Sequence, residues 1–109
     1  MILQGWLALM LAIGFEIAGT TAMKLSDGLS RLGPTLTMFV CYLLAFTALA
    51  RALRTLEVGM AYAIWSAVGT AVIAGIGVVW FGESWNALKG LSLGLIVLGV
   101  VGLHLAGSP

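Results

Sequence analysis

Four long apolar runs, separated by short polar links, account for almost the whole chain. No Asp, Glu, Lys or Arg occurs between Arg31 and Arg51, between Glu57 and Glu83, or after Lys89, and residues 1–23 carry one such side chain, Glu16. Each run supplies roughly 20 apolar residues, enough at about 1.5 Å per residue to cross a hydrocarbon core of about 30 Å. The pattern predicts membrane helices over about residues 3–23, 35–53, 58–81 and 90–106. The first link, Lys24 to Pro34, holds the turn formers Ser26, Asp27 and Gly28, and Pro34 suits the start of the second helix. Arg54 to Glu57 forms the second link and Gly82 to Lys89 the third. Helices that are apolar on every side show little periodicity, so their polar and small residues carry the information.

Composition narrows the class. At 109 residues, 61% hydrophobic and 8% charged, with mean hydropathy +1.15, the chain has too little polar surface to coat a soluble globule. An all-α membrane protein with one four-helix transmembrane domain, residues 1–109, is expected. Few residues remain outside the helices, so there is no room for a soluble catalytic domain. No nucleophile, metal cluster or nucleotide motif is present; an enzyme, a bound cofactor, a metal site and a nucleic-acid partner are all set aside. A cleavable signal peptide is set aside too, because a basic n-region is missing and three more apolar runs follow. Cys41, the one cysteine, lies inside the second run and reads as a small hydrophobe rather than half of a disulfide.

Charge decides orientation in most membrane proteins, through Lys and Arg in short links. With four spans, Lys24, Arg31 and Lys89 fall on one side, and Arg51, Arg54 and the amino terminus on the other. The tally is balanced at three against three, which predicts insertion in both orientations.

Glu16 is the candidate for chemistry. An ionisable group near the middle of a span costs about 2.5–3.5 kcal/mol on insertion scales, so it marks a functional site by default. On a helix its face is shared by Leu9, Ala12, Ile13, Gly19, Thr20 and Met23, mostly small residues that leave space beside the carboxylate. Every Lys and Arg lies at a predicted helix end or link, where a long side chain reaches the headgroups, so no basic residue is expected beside the acid. Desolvation penalises a lone carboxylate, which can then be neutralised by either a proton or a visiting cation. Tyr62 and Trp65, three apart in the third span, and Tyr42, deep in the second, offer aromatic faces that attract cations by about 0.5–2 kcal/mol. Trp6, Trp80, Trp85 and His104, near span ends, read as interfacial, and Asp27, Glu57 and Glu83 as solvated link residues. In the fourth span, Ser92, Gly94 and Gly99 form a small-residue seam suited to close helix contact, hence a candidate dimer interface. A dimer would place two Glu16 carboxylates in one chamber, and antiparallel copies would make an inverted-repeat transporter from two identical chains.

These residues resemble the small multidrug resistance transporters over almost the whole length. The resemblance is carried by Glu16 with Gly19-Thr20-Thr21, by Lys24-x-Ser26-x-Gly28-x-x-Arg31-x-x-Pro34, and by Cys41-Tyr42. Gly59-x-Ala61-Tyr62-Ala63-Ile64-Trp65-Ser66-x-x-Gly69, Phe81-Gly82-Glu83 and the seam of the fourth span extend it. The resemblance implies a bacterial inner-membrane antiporter, an antiparallel (dual-topology) homodimer of four-helix subunits exporting organic cations in exchange for protons. It implies that Glu16 of each subunit binds proton or substrate, that Tyr62 and Trp65 line the chamber with Tyr42 and Thr20 close by, and that Ser66 helps position the carboxylate. Leu9, Ala12, Ile13 and Gly19 would complete the first-helix face. The guanidinium-selective branch of the family has a tryptophan three residues after the glutamate, where this chain has Gly19, so quaternary ammonium and aromatic dye cations are the expected substrates. The chain departs from the family pattern at Ala67, which replaces the first glycine of a Gly-x-Gly, and at Ala45 and Thr47, which replace a serine and a tryptophan of some promiscuous members. The alternatives are a guanidinium exporter, one half of a polyamine-exporting heterodimer and, from another class, a non-transporting membrane scaffold.

Overall fold

The computed structural model describes residues 2–107. Four helices follow in order, α1 (Ile2–Leu25), α2 (Leu32–Ala52), α3 (Val58–Val79) and α4 (Ala87–Ala106). All four are long and apolar enough to cross a membrane. They form two units, Met1–Glu57 and Val58–Pro109, with α1 packed on α2 in the first and α3 on α4 in the second.

In the first unit the buried positions are mostly small. Leu9, Ala12, Ile13, Gly19 and Ala22 of α1 are buried, as are Met38, Ala45 and Ala52 of α2, which recur every seven residues along one side of the helix. Small side chains let backbones approach, which matters in lipid because apolar burial alone gives no preference for helix over acyl chain. The link between α1 and α2 is tighter than a simple turn. Asp27, Gly28 and Leu29 take φ values of 51°, 70° and 68°, a single left-handed turn. Glycine adopts this conformation freely, whereas it costs other residues roughly 1–2 kcal/mol each. Buried Ser26 holds the turn together. Its hydroxyl donates to the Met23 carbonyl (2.6 Å) and accepts from the Leu29 N–H (3.0 Å), while its carbonyl accepts from the N–H groups of Ser30 and Arg31 (both 3.0 Å).

Helix ends differ from the sequence expectation by up to three residues. α2 starts at Leu32 rather than 35, with Pro34 inside its first turn, a position that lacks an intrahelical N–H partner in any case. α4 starts at Ala87 rather than 90, because the Asn86 side chain accepts from the Lys89 N–H (2.9 Å) and caps the helix. α1 runs two residues further, to Leu25, and α2 ends at Ala52. α3 stops at Val79, two residues early: the Gly77 carbonyl accepts from the N–H groups of Phe81 (3.2 Å) and Glu83 (2.9 Å), and Gly82 at φ 67° turns the chain away. α3 is otherwise unbroken through Ala67, which is buried along with Ala61, Gly69 and Gly77.

Candidate functional site

Glu16 sits well inside α1, a helix whose 24 residues extend about 36 Å. Its Oε2 accepts from the Thr20 hydroxyl one turn on (2.5 Å), and Thr20 Oγ1 lies 2.7 Å from the Tyr42 hydroxyl on α2. The Tyr42 ring reaches this point because Gly19 has no side chain. A Cβ there would fall 2.6 Å and 2.7 Å from the ring's Cε1 and Cδ1, and 3.3 Å from the Cβ of Cys41. The residues in this stretch thus divide the work: Glu16 carries the charge, Gly19 seats the ring, and Thr20 joins the two helices. The Thr20 hydroxyl expected on this face is the group that meets the carboxylate, and Tyr42 reaches it only through Thr20.

Other hydroxyls in the spans behave differently. Those of Thr21, Thr37, Thr47 and Ser92 each donate to the carbonyl four residues back, at 2.8, 3.0, 2.7 and 2.8 Å. Thr20 instead donates to a side chain, and its single proton makes the arrangement polar in sense. When Glu16 is ionised it accepts the hydrogen bond of the Thr20 hydroxyl, so Tyr42 must donate to Thr20. When Glu16 is protonated its own O–H can donate to Thr20, which then donates to Tyr42.

None of the basic residues is placed midway along a helix. Lys24 lies in the last turn of α1, eight residues or about 12 Å along the axis from Glu16. Arg31 precedes α2, Arg51 lies in its last turn, Arg54 follows it, and Lys89 lies in the first turn of α4. Among the described residues no group of three or more His, Cys, Asp or Glu comes together.

The remaining expected site residues fall into two sets. Leu9, Ala12 and Ile13 are buried on α1, toward its N-terminus from Glu16. Tyr62, Trp65 and Ser66 lie on one face of α3 in the second unit, with Trp65 half-buried and the other two exposed. Ser92, Gly94 and Gly99 are exposed on α4, which has no buried residue of its own. Two features escaped the sequence reading. One is the ring seat at Gly19, for which glycine before threonine was the only signal; the other is the fold of Glu83 back onto Gly77.

Residues 4–96 match the profile of the Small Multidrug Resistance protein family. The chain belongs to this family. Among its relatives is the quaternary ammonium compound-resistance protein QacE of Escherichia coli, 39% identical over 103 residues covering 94% of both chains. The guanidinium exporter of Escherichia coli K12 is 38% identical over 103 residues, 94% of this chain and 98% of its own. The uncharacterized membrane protein YvaE of Bacillus subtilis is 42% identical over 102 residues, 94% of this chain and 86% of its own. This small multidrug resistance protein is thus a multi-pass protein of the bacterial inner membrane, with four membrane-spanning helices, from a family of transport proteins.

Proposed function

We propose that this chain exports lipophilic organic cations, quaternary ammonium ions foremost, in exchange for protons, as an antiparallel homodimer whose two Glu16 carboxylates bind proton or cation in turn. The observation that carries this reading is the acid of α1 held by the neutral Thr20 hydroxyl, itself bonded to that of Tyr42, with the basic residues at helix ends or in links. A carboxylate so placed loses its charge only to a mobile positive species. Tyr62 and Trp65 supply ring faces for the cargo, Ser66 assists in placing the carboxylate, and Leu9, Ala12, Ile13 and Gly19 form the α1 wall. The α4 seam of Ser92, Gly94 and Gly99 pairs the subunits; its exposure and the internal hydrogen bond of Ser92 leave a small, satisfied surface for a second copy. The balance of Lys24, Arg31 and Lys89 against Arg51, Arg54 and the amino terminus supports dual topology.

In the cycle, Glu16 releases its proton to one side and binds the cation, the dimer exchanges its inward and outward shapes, and protons from the far side displace the cargo. Competition for the same carboxylates supplies the coupling. The naming of one relative as a guanidinium exporter favours guanidinium as the second reading. Gly19 argues for the first, since it seats the Tyr42 ring where any larger residue would displace it.

Proteoliposomes containing only this chain, with an imposed pH gradient, test the proposal. Uphill movement of tetraphenylphosphonium, weak movement of guanidinium and loss of both in Glu16→Gln are expected. Proton-driven export that persists in Glu16→Gln refutes the assignment, and a wild-type chain with no transport at all supports a scaffold or a missing partner subunit instead.

A further inference from the structure

The junction of α3 and α4 holds a cleft of about 390 Å3. Glu83, Trp85 and Lys89 line its polar side, and Val78, Leu88 and Leu93 its apolar side. Glu83 is anchored at both ends. Its N–H donates to the Gly77 carbonyl (2.9 Å), and its carboxylate folds back onto Gly77 so closely that a Cβ at that position would collide with it. Lys89 is anchored as well, donating from Nζ to the Ser84 carbonyl (2.6 Å) and hydroxyl (2.9 Å). An ammonium has three N–H donors, so one is left for an anion. The Trp85 ring lies on Gly90, where a Cβ would stand 3.1 Å from the ring. The cleft joins the end of one span to the start of the next, and so sits where headgroups meet acyl chains.

One cleft thus presents an acceptor carboxylate, a donor ammonium and an apolar wall leading into the membrane. We infer that it binds a zwitterionic phospholipid bearing a primary amine, the lipid ammonium on Glu83, the phosphate on Lys89, and an acyl chain along Val78, Leu88 and Leu93. Charge complementarity selects this occupant. A lipophilic cation would meet the uncompensated charge of Lys89, and an anionic lipid that of Glu83. A primary ammonium also donates hydrogen bonds to the carboxylate, which its trimethylated counterpart cannot do. Such charge-assisted bonds are the stronger kind, and losing one corresponds to about a tenfold drop in retention.

Native mass spectrometry of the full chain tests this, with phosphatidylethanolamine, phosphatidylcholine and phosphatidylglycerol of matched acyl chains. The wild type is expected to retain phosphatidylethanolamine about tenfold better than phosphatidylcholine. Glu83→Gln should abolish that preference. Gly77→Ala, which displaces the carboxylate while leaving it charged, should do the same and stands in where Glu83→Gln fails to fold. Lys89→Gln should lower retention of both zwitterionic lipids alike, because they share the phosphate. Glu16→Gln should keep the preference, so that the headgroup site and the export chemistry fail independently. Equal retention of the two zwitterionic lipids by the wild type, survival of the preference in Glu83→Gln or Gly77→Ala, or displacement of bound phosphatidylethanolamine by tetraphenylphosphonium would overturn the inference.

Discussion

Replacing Gly19 by alanine tests the ring seat with a single carbon atom. The added Cβ would stand 2.6 Å from the nearest Tyr42 ring atom and 3.3 Å from the Cβ of Cys41, so one of the two helices or the ring itself must shift. Overpacking a close contact costs about 1–3 kcal/mol. If the ring is the part that moves, the Tyr42 hydroxyl also leaves Thr20, a further loss of about 0.5–1.5 kcal/mol. Alanine's better helix propensity offsets about 0.5–1 kcal/mol of this, so Gly19→Ala is expected to destabilise the fold by about 1–4 kcal/mol. Tyr42→Phe, which keeps the ring and removes only the hydroxyl, should cost about 1 kcal/mol. The decisive comparison is a double-mutant cycle with Tyr42→Ala, which opens the space that the new methyl needs. Measured by reversible denaturation in detergent micelles, the pair should be non-additive by about 1–3 kcal/mol, with the Gly19→Ala methyl tolerated once the ring is gone. Additive effects, or a Gly19→Ala protein as stable as the wild type, would refute the seating of the ring.

Two further substitutions probe the links. Leu29→Gly should stabilise the chain by about 0.5–1 kcal/mol in the same denaturation assay, because relief of the left-handed backbone outweighs the added freedom of glycine in the unfolded chain. Asn86→Ala should cost about 1 kcal/mol by removing the side chain that caps α4, and Asn86→Asp should retain most of that stability.

The spans were legible because a charge-free run of about 20 residues has few other readings. Their ends were less so, since they depend on local bonds that hydropathy does not register: the Asn86 cap draws α4 back to Ala87, and the bonds onto Gly77 close α3 at Val79. The first link was readable as a turn from Ser26, Asp27 and Gly28, but the left-handed backbone at Leu29 was not, because a bulky aliphatic residue ordinarily avoids it. Glu16 stood out from the sequence as a charge in an apolar run. Its tie to Thr20 follows from their spacing of four, whereas the tie to Tyr42 needs the packing of α1 on α2 and the missing side chain of Gly19. Glu83 is the exposed link residue that the sequence indicated, but its fold back onto Gly77 was not legible, because nothing local in the sequence ties it to a glycine six positions earlier.

The proposed export requires that the Glu16 carboxylate hold either a proton or a cation but never both. That exclusion is read by counting the protons released as tetraphenylphosphonium binds to purified chain, using titration calorimetry in buffers of differing ionisation enthalpy over a series of pH values. Under competition, affinity weakens as pH falls, by at most about tenfold per pH unit for each proton displaced. Release approaches one proton per displaced carboxylate at low pH, vanishes at high pH, and is absent throughout in Glu16→Gln. Cation binding that releases no proton at any pH, or proton release undiminished in Glu16→Gln, would be incompatible with competition at this carboxylate.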